Sequence, residues 1–176
     1  RWKGEKIAIR THGVPPPVKK QLDKKGASII DLTCPRVARV QRIIERHARE
    51  GFYIIIAGDP GHAEVEGLLG YSGGKGNVVS SPQDVERLPL IDPVLLVAQT
   101  TQSEVSFLEI KRALKERFPG LKVFNTLCDF TRRRQKGALA LARRVDAIVV
   151  VGGRESANTR RLAELCLTTG TPAYLV

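Results

Sequence analysis

The sequence contains no methionine, and its three cysteines include no C-x-x-C pair. Without paired cysteines the chain shows no disulfide framework, which favours a reducing, intracellular location. No apolar run approaches membrane-spanning length, and no signal peptide is visible. Because the chain begins at Arg1 and lacks methionine, we expect it to be part of a longer protein.

Several motifs that would identify common enzyme classes are also missing. The sequence has no H-E-x-x-H pattern of a zinc hydrolase, no G-x-G-x-x-G and no Walker P-loop. Aromatic residues make up only 5% of the chain and do not alternate with basic residues, which weighs against base stacking on a nucleic acid.

Basic residues are abundant. Lysine and arginine number 29 against 18 aspartate and glutamate residues, which gives a formal net charge of +11. Such a chain attracts anions, and the candidates are nucleic acid, an anionic membrane surface and a phosphorylated small molecule.

Short β-branched runs alternate with amphipathic stretches along the whole chain, which predicts an α/β protein with buried parallel sheets. In the stretch 103–117, Val105, Leu108, Ala113 and Leu114 fall on roughly one helical face and are predicted to be core. The short segments around Pro15–Pro17 and in YSGGKGN (71–77) are read as loops. The strand candidates are 6–10, 28–32, 53–58, 77–80, 94–98, 121–125, 147–152 and 173–176.

An internal repeat with an offset of 94 residues aligns Cys34 with Cys128. Each cysteine ends a strand-to-loop passage and precedes a basic helix, and YIIIAG (53–58) matches AIVVVG (147–152). The following loops superpose His62 on Ser156 and Glu64 on Asn158, and with a small shift His12 pairs with Thr101.

The repeat predicts repeated small parallel-sheet α/β modules. One complete central module, 35–125, is flanked by the C-terminal half of a first module, 1–34, and the N-terminal half of a third, 126–176. A whole protein would then carry another cysteine loop before Arg1 and another polar loop after Val176.

The two aligned cysteines are candidate metal ligands. Pro35 suits the first position of a helix, which puts Cys34 at the positive end of the helix dipole, where a thiolate is favoured. Cys128 precedes FTRRRQKG in a similar setting, and a thiolate is what a metal or an iron–sulfur cluster needs. The alternative is that each is a small buried apolar residue. Cys166, in phase with Leu162, is predicted to be core, and His47 to be a solvated helix position.

Polar loops follow the predicted strands at 11–13, 61–64, 99–103 and 155–158. In parallel sheets, ligands bind beyond the carboxyl ends of strands. Imidazoles, hydroxyls and helix-terminal amides suit phosphate oxygens, and Glu64 is a natural proton donor or acceptor. The run Arg132–Arg134 could be a plain charged face, and only one of the three need point inward.

The motifs DLTCP, GHAEVEG, QTTQS, NTLCDFTRRRQ and GGRESANTRRLAEL together resemble the 4-hydroxy-3-methylbut-2-enyl diphosphate reductase family of the non-mevalonate isoprenoid pathway. They span essentially the whole chain in the family's order. The resemblance implies three similar α/β modules around a central [4Fe–4S] cluster, one cysteine from each holding an iron and the fourth iron open for the substrate's hydroxyl.

The resemblance also implies roles for individual residues. Cys34 and Cys128 would be cluster ligands, and Glu64 the proton donor that helps to expel the hydroxyl as water. Thr100 and Thr101 would lie near the substrate. The diphosphate would be bound by His12, His62, Ser156 and Asn158, with Ala157 where family members often have a serine.

The implied partners are ferredoxin or flavodoxin as electron donor, and the implied products are isopentenyl and dimethylallyl diphosphate. The implied location is the cytoplasm, or a plastid in a plant or alga. We expect the third cysteine, a further histidine and a last serine outside this chain, so that a cluster would be poorly held by this chain alone. The alternatives are a diphosphate-binding module without catalysis or cluster, and a basic RNA-binding domain.

Overall fold

A computed structural model describes residues 4–176, so residues 1–3 of the predicted first half-module lie outside the described residues. Strands and helices alternate as the sequence predicts. In chain order they are β1 Lys6–Ile9, α1 Pro16–Lys24, β2 Ser28–Asp31, α2 Pro35–Arg49, β3 Tyr53–Ala57, α3 Ala63–Leu69, β4 Gly76–Val79, β5 Val94–Ala98, α4 Glu104–Arg117, β6 Lys122–Val123, α5 Asp129–Ala142, β7 Ile148–Val150, α6 Ala157–Leu167 and β8 Ala173–Leu175, with 3₁₀ segments at Gly70–Ser72 and Pro82–Arg87.

All strand pairs in the described chain are parallel. A four-stranded sheet has the order β4-β3-β5-β6, while β1 pairs with β2 and β7 pairs with β8 in separate two-stranded sheets. The predicted α/β class with small parallel sheets is therefore confirmed. The predicted module boundaries after residues 34 and 125 stay a prediction.

The chain divides into two compact units. The first comprises residues 4–99 and 106–126, and the second comprises residues 100–105 and 127–176. The first unit contains the four-stranded sheet and the β1-β2 sheet, and the second contains the β7-β8 sheet.

The central strands β3 and β5 form the core of the first unit. Residues 54–57 and 94–98 are buried on both faces, as expected for a parallel sheet covered by helices. Helix α2 packs Val37, Val40 and Ile44 into the same cluster as Val65 and Leu68 of α3. Pro35 begins α2 as predicted, because its fixed φ suits the first helical turn.

In the second unit a smaller cluster of Ala142, Ile148 and Cys166 joins α5, α6 and β7. The Cys166 side chain is fully buried, and burial raises the pKa of its thiol. The prediction that Cys166 is a core residue is confirmed.

The predicted core face of α4 is partly wrong. Val105 and Leu108 are 62% and 53% exposed, whereas the buried positions are Phe107, Ile110 and Leu114. The helix is apolar on more than one side, so periodicity alone does not select the face that meets the sheet. Neither predicted loop is entirely loop, because α1 begins at Pro16 and β4 begins at Gly76.

The prediction that His47 is solvated is wrong, since its side chain is only 4% exposed. Its ring packs edge-on against Phe52 and Phe124, with centroids 5.3 and 5.2 Å away, and Nδ1 donates to the Ile43 carbonyl at 2.7 Å. Phe124 lies far along the chain, so the neighbouring residues of α2 did not reveal the contact.

Within residues 4–176, no helix is long and apolar enough to span a bilayer.

Candidate functional site

Cys34 and Cys128 occupy the same structural position in the two units. Each is the N-cap residue of a helix, α2 and α5 respectively, and in the described structure neither side chain makes a capping hydrogen bond. Both are free, partly exposed thiols. The main chain holds them alike, because the Cys34 N–H donates to the Thr11 carbonyl at 3.0 Å and the Cys128 N–H to the Thr100 carbonyl at 2.9 Å.

Further contacts repeat at the offset that the sequence predicts. His62 caps α3 and Ser156 caps α6, each through a side-chain acceptor. A side chain at Gly58 would collide with Val65, and one at Gly152 would collide with Thr159, the residue at the matching position. The internal repeat inferred from the sequence therefore has a structural counterpart in the loop that follows β3 and the loop that follows β7.

The first unit brings His12, His62 and Glu64 together. The two imidazole rings meet edge to face, with centroids 5.2 Å apart and planes at 84°. His62 Nδ1 accepts a hydrogen bond from the Glu64 N–H at 3.2 Å, which fixes its tautomer with the proton on Nε2 when the ring is neutral. Two imidazoles this close repel each other when both are charged. An anion beside them would reduce that repulsion.

The surroundings of His12 favour the neutral form of its imidazole. Burial, reinforced by the positive charge of Arg10, lowers the pKa of its imidazole below 6.5. Its Nδ1 is buried and has no hydrogen-bond partner among the described residues. The ring therefore has an unused polar atom, and a negative charge beside it would raise its pKa.

Glu64 is almost completely buried, with 2% of its surface exposed, in the first turn of α3. The short helix begins at His62, so histidine and carboxyl group are joined by one turn of backbone. A carboxyl group within hydrogen-bond reach of a bound molecule can exchange a proton with it.

The second unit holds the other predicted site residues. Thr100 is buried, and the Thr101 carbonyl accepts from Gln135 Nε2 at 3.3 Å. Ser156 Oγ accepts from the Thr159 N–H at 3.4 Å, which leaves its own proton available for another acceptor. Ala157 is buried beside it, and Asn158 Oδ1 is a buried acceptor without a partner in residues 4–176.

One residue of the loop after β5 was not identified from the sequence as a site residue. Gln99, fully buried at the end of β5, accepts from the Asp59 N–H at 2.8 Å and so ties the loop after β3 to the loop after β5. Its place at the head of QTTQS was the available signal. Arg132 pairs with Glu104 and Asp129, whereas Arg133 and Arg134 are exposed, as expected for a run with one partly buried member.

Metal-binding capacity is limited in the described chain. Among residues 4–176, no three histidine, cysteine, aspartate or glutamate side chains cluster in a way that could hold a metal ion. The described residues do offer one free thiol at a helix N-cap in each unit, the donor type that an iron–sulfur cluster uses.

Parallel sheets, with a cysteine at a helix N-cap and a loop that carries a hydroxyl or imidazole group in each unit, define an α/β protein built from repeated elements. The LytB protein family profile matches residues 2–176, and the chain belongs to this family, whose curated members are named 4-hydroxy-3-methylbut-2-enyl diphosphate reductases. The recognition made from the sequence motifs is confirmed.

Two individual relatives carry the name of this reductase. The chain is 43% identical over 173 residues to the 4-hydroxy-3-methylbut-2-enyl diphosphate reductase of Solidesulfovibrio magneticus, covering 97% of this chain and 60% of that protein. It is 42% identical to the enzyme of the same name from Treponema denticola, covering 99% of this chain and 62% of the relative.

Solved structures of the family are also similar. The E-1-hydroxy-2-methyl-but-2-enyl-4-diphosphate reductase from Plasmodium falciparum matches with a TM-score of 0.93 and 29% identity, covering 99% of this chain and 56% of that one. A structure described as the terminal enzyme of the non-mevalonate pathway matches with a TM-score of 0.72 and 37% identity, covering 99% and 63%. The chain thus spans about three fifths of the length of its relatives.

Proposed function

We propose that this chain forms the central part of an enzyme that reductively removes the hydroxyl group of 4-hydroxy-3-methylbut-2-enyl diphosphate. The carbon–oxygen bond breaks, two electrons and two protons are consumed, and the products are water and either isopentenyl or dimethylallyl diphosphate. The observation that supports this best is the pair of contacting imidazoles beside the buried carboxyl group of Glu64.

In this proposal His12 and His62 bind the diphosphate. His12 has a buried Nδ1 without a hydrogen-bond partner among the described residues, and the Nδ1 of His62 accepts from the Glu64 N–H, which places the proton of a neutral His62 ring on Nε2. In the second unit, Ser156 and Asn158 add a hydroxyl proton and an amide group, and Ala157 contributes its main chain where relatives often have a further hydroxyl. Charge-assisted hydrogen bonds of this kind are the strong ones in phosphate recognition.

Glu64 is the proposed proton donor. Its carboxyl group would protonate the departing hydroxyl so that it leaves as water, a role that suits a side chain shielded from solvent. Thr100 and Thr101 would lie near the substrate, where a hydroxyl group can orient the reacting oxygen. Thr101 is well suited to this because its main chain is already fixed by Gln135.

Cys34 and Cys128 are the proposed ligands of a [4Fe–4S] cluster. Their sulfur atoms suit this role because both are free, partly exposed and not used in capping. The third cysteine ligand is proposed to lie outside this chain. When bound, the cluster would supply the electrons and act as a Lewis acid towards the hydroxyl oxygen.

The remaining family properties belong to the same proposal. The electron donor would be ferredoxin or flavodoxin, and the protein would act in the cytoplasm, or in a plastid of a plant or alga. Residues 1–34, 35–125 and 126–176 would correspond to half a module, a whole module and a further half.

The decisive experiment compares this chain with a chimera in which it replaces the matching segment of the Solidesulfovibrio magneticus reductase. Both are reconstituted anaerobically with iron and sulfide, and bound iron and visible absorption are measured. We expect a stable four-iron cluster and substrate turnover in the chimera. A chimera that folds and binds diphosphate without iron would instead support a non-catalytic module, and RNA binding that diphosphate cannot displace would support the third class.

The proton-donor role of Glu64 predicts a specific loss in the same chimera. Glu64→Gln keeps the shape of the side chain and removes the acid, so turnover should fall by about 10²–10⁴-fold while bound iron is unchanged. Glu66→Gln, on the exposed side of the same helix, is the matched control. An unchanged rate in Glu64→Gln would exclude Glu64 as the donor.

A further inference from the structure

Two buried glutamines stand at matching positions of the repeat. Gln41 lies on α2 seven residues after Cys34, and Gln135 lies on α5 seven residues after Cys128. They are only 7% and 5% exposed. Glutamine is rarely buried unless its amide group has a hydrogen-bonding task, so the repeated position indicates one.

In the second unit, the buried glutamine makes a hydrogen bond to the polar loop. Gln135 Nε2 donates to the Thr101 carbonyl, one residue beyond the Thr100 carbonyl that accepts from the Cys128 N–H. The polar loop is therefore held by two adjacent hydrogen bonds, one from the N-cap residue Cys128 and one from Gln135 of α5.

The first unit has one of these two bonds. The Cys34 N–H donates to the Thr11 carbonyl, as in the repeat, and the next residue is His12. Gln41 Nε2 lies against Gly13, in the space that a side chain at position 13 would occupy, and it has no hydrogen-bond partner within residues 4–176. Glycine at position 13 allows this approach and also the positive φ of 71°.

We propose that Gln41 is a positioning residue for the diphosphate site: its buried amide donor is taken up by the main chain of the His12 loop when an anion binds there. The loop then gains the hydrogen bond that Gln135 already makes to the matching loop. Binding the anion and satisfying Gln41 would stabilise each other. This inference rests on the proposed role of His12 in binding diphosphate.

The proposal predicts that stability and binding respond in opposite ways to one substitution. Gln41→Met keeps an unbranched side chain of similar length and removes an amide group that is unpaired in the free protein. Replacing such a group by an apolar one is neutral or stabilising, so the melting temperature should stay the same or rise. Affinity for inorganic diphosphate, measured by NMR titration of the 176-residue chain, should fall by about five- to tenfold.

Two matched variants separate positioning from ordinary packing. Gln135→Met removes a bond that is already made and should lower the melting temperature. Gln83→Met makes the same change at an exposed glutamine and should alter neither property. As a second measure, hydrogen exchange of the Gly13 amide, which donates to the Arg10 carbonyl, should slow on adding diphosphate to the parent chain but not to Gln41→Met.

The outcomes are distinguishable. Equal diphosphate affinity in the parent and in Gln41→Met would overturn the positioning role alone. A melting temperature lowered by Gln41→Met as much as by Gln135→Met would also overturn it, because Gln41 would then be an ordinary stabilising core group. No diphosphate binding to the parent chain would overturn the role of His12 and this inference with it.

Discussion

His12 shows how a single residue links protonation to ligand binding. Burial and Arg10 lower the pKa of its imidazole below the value of 6.5 in an unfolded chain. The unfolded chain therefore binds a proton more readily, and the stability that neutral His12 contributes is present above about pH 6.5 and is lost as the pH falls towards the folded-state pKa. An anion bound beside the ring should oppose this by raising the pKa of His12.

We therefore predict that diphosphate binding is coupled to proton uptake by His12. The ratio of the affinity of the parent chain to that of His12→Gln should increase as the pH falls from 8 to 6, by up to about tenfold. Using the ratio cancels the titration of diphosphate itself. Calorimetric titrations in two buffers of different ionisation enthalpy measure the proton uptake, and a ratio that does not change with pH would contradict the coupling.

Residue identities in the loops could be predicted because their motifs are local in sequence. Cys34, His62 and Glu64 each lie beside a recognisable strand end or helix start. Gln41 and Gln135 were missed because a glutamine within a helix carries no local signal, although the 94-residue offset relates them. What makes them notable is burial, and burial depends on parts of the chain distant in sequence.

At the scale of secondary structure, the loop after β3 depends on close packing at Gly58. A Cβ at this position would lie 2.8 Å from Val65 Cγ2 and 2.9 Å from Gln99 Oε1. Gly58 therefore lies where α3, which follows His62 and carries Glu64, comes close to the residue after β5.

Gly58→Ala should therefore lower the free energy of unfolding by about 1–3 kcal/mol, since the added methyl group forces Val65 or Gln99 to move. The control is Gly137→Ala in the interior of α5, where a Cβ meets nothing within 4 Å and should stabilise the helix by about 1 kcal/mol. Urea denaturation of both variants tests the prediction. A Gly58→Ala variant as stable as the parent would show that the contact is not close in solution.

The positions of most strands and helices followed from apolar runs and turn residues, because these patterns have a fixed local period. The face of α4 could not be predicted, since Val105 and Leu108 are as apolar as the Phe107 and Ile110 that are buried instead. Packing against the sheet determines which of these apolar residues are buried. The same reason applies to His47, whose aromatic neighbour Phe124 is distant in the sequence.

At the scale of the whole molecule, one surface of the β7-β8 sheet is apolar and exposed. Val149 pairs in register with Tyr174, and their exposures are 62% and 58%. Val151 and Val176, two residues further along each strand direction, are 80% and 62% exposed. Contiguous apolar surface of this kind promotes association.

We predict that the 176-residue chain self-associates through this surface at high protein concentration, despite a net charge of +11. The double variant Val149→Thr and Tyr174→Thr keeps residues that favour strands and should shift the sedimentation profile towards the monomer. Val18→Thr, at an exposed apolar residue of α1, is the control. Equal association in parent and double variant would place the contact elsewhere.

The thiols of Cys34 and Cys128 make no capping hydrogen bond, and this affects the stability of variants in which either cysteine is replaced. Cysteine replaces a conventional cap at the start of α2 and of α5, so each helix begins without a side-chain hydrogen bond in the described structure. Serine is a strong N-cap residue, and Cys34→Ser should raise the free energy of unfolding of the metal-free chain by about 1 kcal/mol, measurable by urea denaturation. The usual serine substitution would then give a protein that is more stable than its parent. A loss of iron binding in this variant would therefore not result from misfolding.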